Sequence, residues 1–268
     1  ASPLGWFDNP TPNSFEPPTA GIRIGSSGNV VQNNVVAGNA NRHQFSDGRI
    51  LFEGGIDVLL DRGTHGNVVR RNRIGVGADG QVVSVTEPDD DKYDYVGVLV
   101  QGTNQTIGGT GGDGNVIANH DYDIFVRSPS GNLIVGNQIG QVPDVGIEFP
   151  LNVGLLMVDA TSTLGDPNGT PGRGQVEDNV VRSLQKVLSV FGEYDVTDNV
   201  LHGTVNGFME PDYTSFHTEG AVVLWGDGFS LARNEIRGNG WAVLANTGQG
   251  IMVENNIEGG YGGIRLAE

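Results

Sequence analysis

The chain has 268 residues, 43 of them glycine and none cysteine, with a formal net charge of −17 at pH 7. Without cysteine there is no disulfide framework, and 32 acidic residues against 15 basic ones make nucleic acid and anionic membranes poor partners. No apolar run reaches the roughly 18 residues that a membrane-spanning helix needs.

Ala1 to Ala20 is Pro-rich and carries Leu4, Trp6, Phe7 and Phe15. It reads as an irregular N-terminal arm whose apolar side chains pack on the protein's own body or on a neighbour. Its start, Ala1-Ser2-Pro3-Leu4, lacks the basic and apolar regions of a signal peptide, so the chain reads as already processed or as a fragment.

From residue 21 onward two phrases alternate. One is an apolar pair, two variable residues, an Asn, a variable residue and an aliphatic. It occurs as Val30-Val31-Gln32-Asn33-Asn34-Val35-Val36 and Val68-Val69-Arg70-Arg71-Asn72-Arg73-Ile74, and returns around Asn137, Asn179, Asn199, Asn234 and Asn255. The Asn spacings of 38, 42, 20, 35 and 21 residues (34 to 72, 137 to 179, 179 to 199, 199 to 234, 234 to 255) fall near one or two copies of a unit of roughly 20 residues. The other phrase is a Gly followed by strict alternation: Gly21-Ile22-Arg23-Ile24, Gly55-Ile56-Asp57-Val58, Gly97-Val98-Leu99-Val100, Gly146-Ile147-Glu148-Phe149 and Gly263-Ile264-Arg265-Leu266. Looser copies occur at 123–126, 187–190 and 241–244. Alternation over three or four residues predicts short strands, and Gly or Asn between them predicts turns with positive φ. No helical period is sustained.

With these phrases the chain, from about residue 21 to 268, resembles the right-handed parallel β-helix repeat proteins of the pectin-lyase-like superfamily. The resemblance implies an all-β, single-stranded right-handed parallel β-helix (solenoid) of about 8–10 coils with irregular loop insertions. It does not select a function, since that fold carries lyases, hydrolases, epimerases, tailspikes, adhesins and surface-layer proteins.

In such a stack Asn34, Asn72, Asn137, Asn179, Asn199, Asn234 and Asn255 read as a structural ladder: left-handed turn residues whose amides pair with the coils above and below. At Val116-Ile117-Ala118-Asn119-His120 the phrase breaks, and His120 stands where the ladder Asn is expected.

Aligning the alternating phrases gives an outward column of Arg23, Asp57, Leu99, Phe125, Glu148, Ser189, Val223, Val243 and Arg265. Leu99 and Phe125 would lie side by side, which suits a face covered by loops or a partner. Asp57 and Glu148, about three coils apart at ~4.8 Å per coil, would be ~14 Å from each other, too far for a glycosidase pair, which needs roughly 5–9.5 Å. A tighter candidate catalytic cluster is His120, Tyr122, Asp123 and Arg127 with Glu148, combining a base, a phenol and a cation as acid-base chemistry at a sugar ring requires. A second candidate lies in the insertion from His202 to Glu219, with Glu210, Asp212, Tyr213 and His217, and with Phe208 and Phe216 to stack or pack.

No cofactor is required by these residues. A structural calcium ion could sit in the acidic loop Glu87 to Asp94, at Asp89, Asp90 and Asp91; the five histidines show no metal-ligand spacing. Asn104-Gln105-Thr106 and Asn168-Gly169-Thr170 fit the glycosylation acceptor pattern. Only Lys92 and Lys186 are lysines, so polyuronates are repelled unless arginines cluster, and the balance suits a saline habitat.

Two readings follow. In the first, the chain is an extracellular or cell-surface structural or adhesive solenoid of filament, spike or surface-layer type. It assembles head to tail through its arm (Leu4, Trp6, Phe7, Phe15) and its open coil ends (Ile264, Leu266), or continues into neighbouring rungs of a longer chain. In the second, it is a polysaccharide-processing enzyme centred on His120 to Arg127.

Overall fold

The computed structural model describes residues 20–39, 43–44, 50–52, 55–81, 96–120, 122–127, 131–142, 147–148, 153–158, 174–183, 186–191, 194–203, 220–225, 228–238, 241–246, 249–260 and 262–267. The two sequence phrases become three parallel sheets wound as one β-helix. Face A consists of nine strands in chain order: Ala20–Ile24, Ile56–Leu60, Val96–Val100, Tyr122–Val126, Val153–Val158, Lys186–Phe191, Gly220–Trp225, Trp241–Asn246 and Gly262–Ala267. Faces B and C each hold eight, running from Val30–Gln32 to Ile251–Val253 and from Val35–Val36 to Asn256–Gly259. Each strand pairs in parallel with its counterpart one coil away, so the chain passes through A, B and C once per turn.

Parallel pairing in register stacks like on like. On face C the inward column runs Ile74, Ile117, Ile139, Val181, Leu201, Ile236, all fully buried. Branched aliphatics pack well on a pleated surface, and burying each is worth about 1.5–3 kcal/mol. The column needs the same residue class at the same place in every unit, which is why the phrase recurs.

Between faces B and C the connection is two residues in seven of the eight coils. The first of the two is left-handed: φ is 60° at Asn33, 54° at Arg71, 66° at Gly136, 53° at Asp178, 58° at Asp198, 56° at Arg233 and 56° at Glu254. The second is the ladder Asn. Left-handed backbone thus belongs to the residue before the Asn, contrary to the sequence expectation. The amide is needed for bridging coils, and the strained residue, whose side chain faces outward, is free to vary.

The eighth connection, residues 109–115, is seven residues long, and it misleads alignment by phrase. The ladder residue of that coil is Asn115, not the position of His120. Val116–Ile117 is the face C strand that follows the turn and pairs with Arg73–Ile74, whereas the sequence reading had placed it before the turn.

The outward column is also corrected at three places. Paired residues run Arg23, Leu59, Leu99, Phe125, Leu156, Ser189, Val223, Leu244 and Arg265. Leu59 replaces Asp57, because the strand register sets Ile22 opposite Val58 rather than Ile56. Leu156 replaces Glu148, whose strand Ile147–Glu148 forms a small antiparallel hairpin with Gln141–Val142 and is not part of face A. Leu244 replaces Val243, which points into the core.

Candidate functional site

The corner between faces C and A holds the most unusual chemistry among the described residues. Just after Val116–Ile117 the chain places His120 inside the stack, its side chain wholly without solvent exposure. Nδ1 lies 2.7 Å from Asp123 Oδ1 on the next strand of the same coil, and Nε2 lies 3.1 Å from Asp57 Oδ2 on Ile56–Leu60. Both carboxylates are likewise fully buried. Asn39 Nδ2 donates to the other oxygen of Asp57 at 2.7 Å.

Val96–Val100 runs between the strands of Asp57 and Asp123, and Gly97 makes room for the ring. A Cβ built there would stand 2.9 Å from His120 Cε1 and Nδ1 and 2.5 Å from the Asp123 carbonyl oxygen. Burial alone would depress the His120 pKa, but hydrogen bonds to Asp123 and Asp57 and their negative charges outweigh it and raise the pKa to about 9. Burial pushes the Asp123 carboxyl up to about 6 in spite of the imidazole beside it. The cluster is therefore an interior charge network, Asp57–His120–Asp123, that joins three successive coils.

The five residues of the sequence-derived catalytic cluster are not brought into one groove. His120 and Asp123 are sealed from solvent and Glu148 stands off face A. Tyr122 packs with the outer apolar cluster, its ring centroid 5.8 Å from that of Phe125. Arg127 lies over the Phe125 ring at 6.0 Å from the centroid, and burial, with the nearby Arg62 charge, lowers its pKa. A general acid or base must reach the substrate, and the His120 ring has no exposed surface in this structure.

Asp57 is the member that sequence reasoning misplaced. Its signal was a glycine, Gly97, at the level between two acids, Asp57 and Asp123. Stacked coils read that series as a gap for a large side chain.

At the strands Ile56–Leu60, Val96–Val100 and Tyr122–Val126 the outer side of face A is apolar and closed. Ile56, Leu59, Val96, Leu99 and Phe125 form a second hydrophobic cluster, with Leu99 3% and Phe125 4% exposed. Leu99 and Phe125 are direct neighbours across the sheet.

The Asn ladder runs Asn34, Asn72, Asn115, Asn137, Asn179, Asn199, Asn234, Asn255. In each of the first seven, backbone N–H and Nδ2 donate to Oδ1 of the Asn one coil on, at 2.9–3.1 Å. Nδ2 of most also donates to a carbonyl one coil back, as Asn179 does to Ile134 at 2.9 Å.

A second amide series precedes face B. Asn29 donates to Asn67, Asn67 to Gln105, and Gln105 to Asn132. In later coils the column becomes Gly174, Tyr194, Phe229 and Gly250, with the Tyr194 ring against Gly174 and the Phe229 ring against Gly250.

Of the residues assigned to assembly, Ile264 is 44% and Leu266 74% exposed. Leu4, Trp6, Phe7 and Phe15 lie outside the described residues, as do Asp89, Asp90 and Asp91 and the insertion residues Phe208, Glu210, Asp212, Tyr213, Phe216, His217 and Glu219. Asn104, in the first glycosylation pattern, is exposed with φ 50°; Asn168 lies outside the described residues. Among the described residues no group of three or more His, Cys, Asp or Glu is placed to hold a metal ion. No helix there is long and apolar enough to cross a membrane.

No family model matches the chain, and no curated protein matches it. Among solved structures it is similar to that of PfbA, a surface adhesin of Streptococcus pneumoniae, at 13% identity and a TM-score of 0.38, over 93% of this chain and 72% of that one.

Proposed function

We propose that this chain is an extracellular structural or adhesive β-solenoid, a rod that associates head to tail through its coil ends. The observation that supports the reading is the unbroken parallel stacking, in which each coil presents to the next the same columns of aliphatics and amides. Ile264 and Leu266 occupy inward columns whose members one and two coils back, Val243 and Val222, Ala245 and Leu224, are buried, yet they are 44% and 74% exposed. A strand added in register there, from a second copy or from further coils of a longer chain, would cover these side chains.

The Asn ladder gives such stacking a direction. Every coil donates to the Oδ1 of the coil that follows. A second copy laid with its first coil on the last coil of the first continues that direction, offering Asn34 Oδ1 to the N–H of Asn255. Head-to-head packing sets like groups against each other. Contacts of this heterologous kind extend into filaments when they do not close. The arm residues Leu4, Trp6, Phe7 and Phe15 are the proposed apolar complement. Burial of His120 and Asp123 weighs against the polysaccharide-processing reading.

Sedimentation velocity over a concentration series, on the 268-residue chain and on Leu266→Asp, tests the proposal. The parent should move to larger species as concentration rises, and the variant should stay monomeric. A parent that remains monomeric, or a variant that associates equally well, defeats it.

A further inference from the structure

The Asp57–His120–Asp123 cluster takes no part in end-to-end association, and its geometry suggests another role. Three strands of face A meet at it: Ile56–Leu60 brings Asp57, Val96–Val100 brings Gly97, and Tyr122–Val126 brings Asp123. Only an imidazolium donates from both ring nitrogens, and here each nitrogen faces a carboxylate oxygen, at 2.7 Å and 3.1 Å. A neutral ring would leave one nitrogen lone pair against a carboxylate inside the stack, a buried repulsion that costs free energy.

We propose that Asp57, His120 and Asp123 form a pH-sensitive staple that clamps three successive coils and loosens when His120 loses its proton. The charged groups acting on the ring are Asp123 and Asp57. Among the described residues, the uncharged Gly75 and Gly97 also close on the ring, and Asn39 holds the far side of Asp57.

The sign follows from the direction of the shift. A histidine whose folded-state pKa is raised from 6.5 to about 9 adds stability that is complete below pH 6.5 and is lost as pH rises through 9. Asp123, raised from 3.8 to about 6, works the same way at lower pH, since the folded state holds its proton more tightly and stability declines between those values. From these two groups the stabilisation falls in two steps as pH rises, and it is weakest in alkali. Lysine and tyrosine titrate near pH 10, and the His120→Asn variant, which keeps all of them, separates their effect on global charge from the upper step.

Two measurements on the full chain test the staple. In a 15N NMR titration of the imidazoles, His120 should be doubly protonated at pH 7 and lose a proton near pH 9; a ring that is neutral at pH 7 overturns the proposal. In thermal melts, the parent should lose about 5–10 °C in Tm between pH 7 and pH 10. His120→Asn should melt lower at pH 7 and lose much less over the same range. Equal slopes in parent and variant overturn the proposal. If the variant fails to fold, the NMR titration of the parent decides alone.

Discussion

At the scale of the residue, the fold rests on side chains that serve two coils at once. Asn179 accepts from the N–H and Nδ2 of Asn137, and its own amide donates to Asn199, Ile134 and Glu177. Asn179→Ala strands several buried partners, and at about 1–3 kcal/mol per unsatisfied group it should lower unfolding free energy by about 3 kcal/mol or more in urea titration. Asn34→Ala, on the exposed first coil, should cost far less. Gly97→Ala sets a methyl against the Asp123 carbonyl and the His120 ring. Neither can retreat without breaking the staple, so a loss of about 1–3 kcal/mol is expected, read in the same titration. Seven of the eight ladder residues could be picked out from sequence because each is flanked by apolar pairs at fixed spacing. Asn115 could not, since Gly109–Gly114 separates it from the strand before it. The second amide series was hidden for a different reason: Gln105 replaces Asn in it and aromatic rings take over midway, so no single letter recurs.

At the scale of the element, strands were easier to read than their facing. The alternating phrases mark where face A strands lie, but strict alternation fails at Asp57, where Ile56 and Leu59 both turn outward and the residue after Ile56 turns in to meet His120. A one-residue offset moves a side chain to the other face, and that displaced Val243 in the sequence reading, whereas Asp57 was displaced by two residues. The tight B-to-C turns are a place where the chain tolerates strain. Asp178 holds φ 53°, a conformation that costs an L-residue about 1–2 kcal/mol, Asp being among the more tolerant of it and Gly paying nothing. Asp178→Gly should therefore raise Tm by a few degrees in calorimetry, the relief exceeding the added entropy of the unfolded chain. Arg71 is a less clean site for this test, because it pairs with Asp113 across coils.

At the scale of the whole molecule, one repeated phrase builds a rod whose interior columns repeat from coil to coil, and whose polar ladder has a direction. The charge of −17 opposes association of such rods side by side, whereas end contacts bring apolar surface together over a small area. Raising salt should therefore strengthen end-to-end contact by screening the repulsion, which light scattering against ionic strength can follow. The most direct test of the account is electron microscopy of the purified 268-residue chain beside Leu266→Asp. The account predicts fibres one solenoid wide for the parent and short single rods for the variant. Single rods from both, or fibres from both, would contradict it.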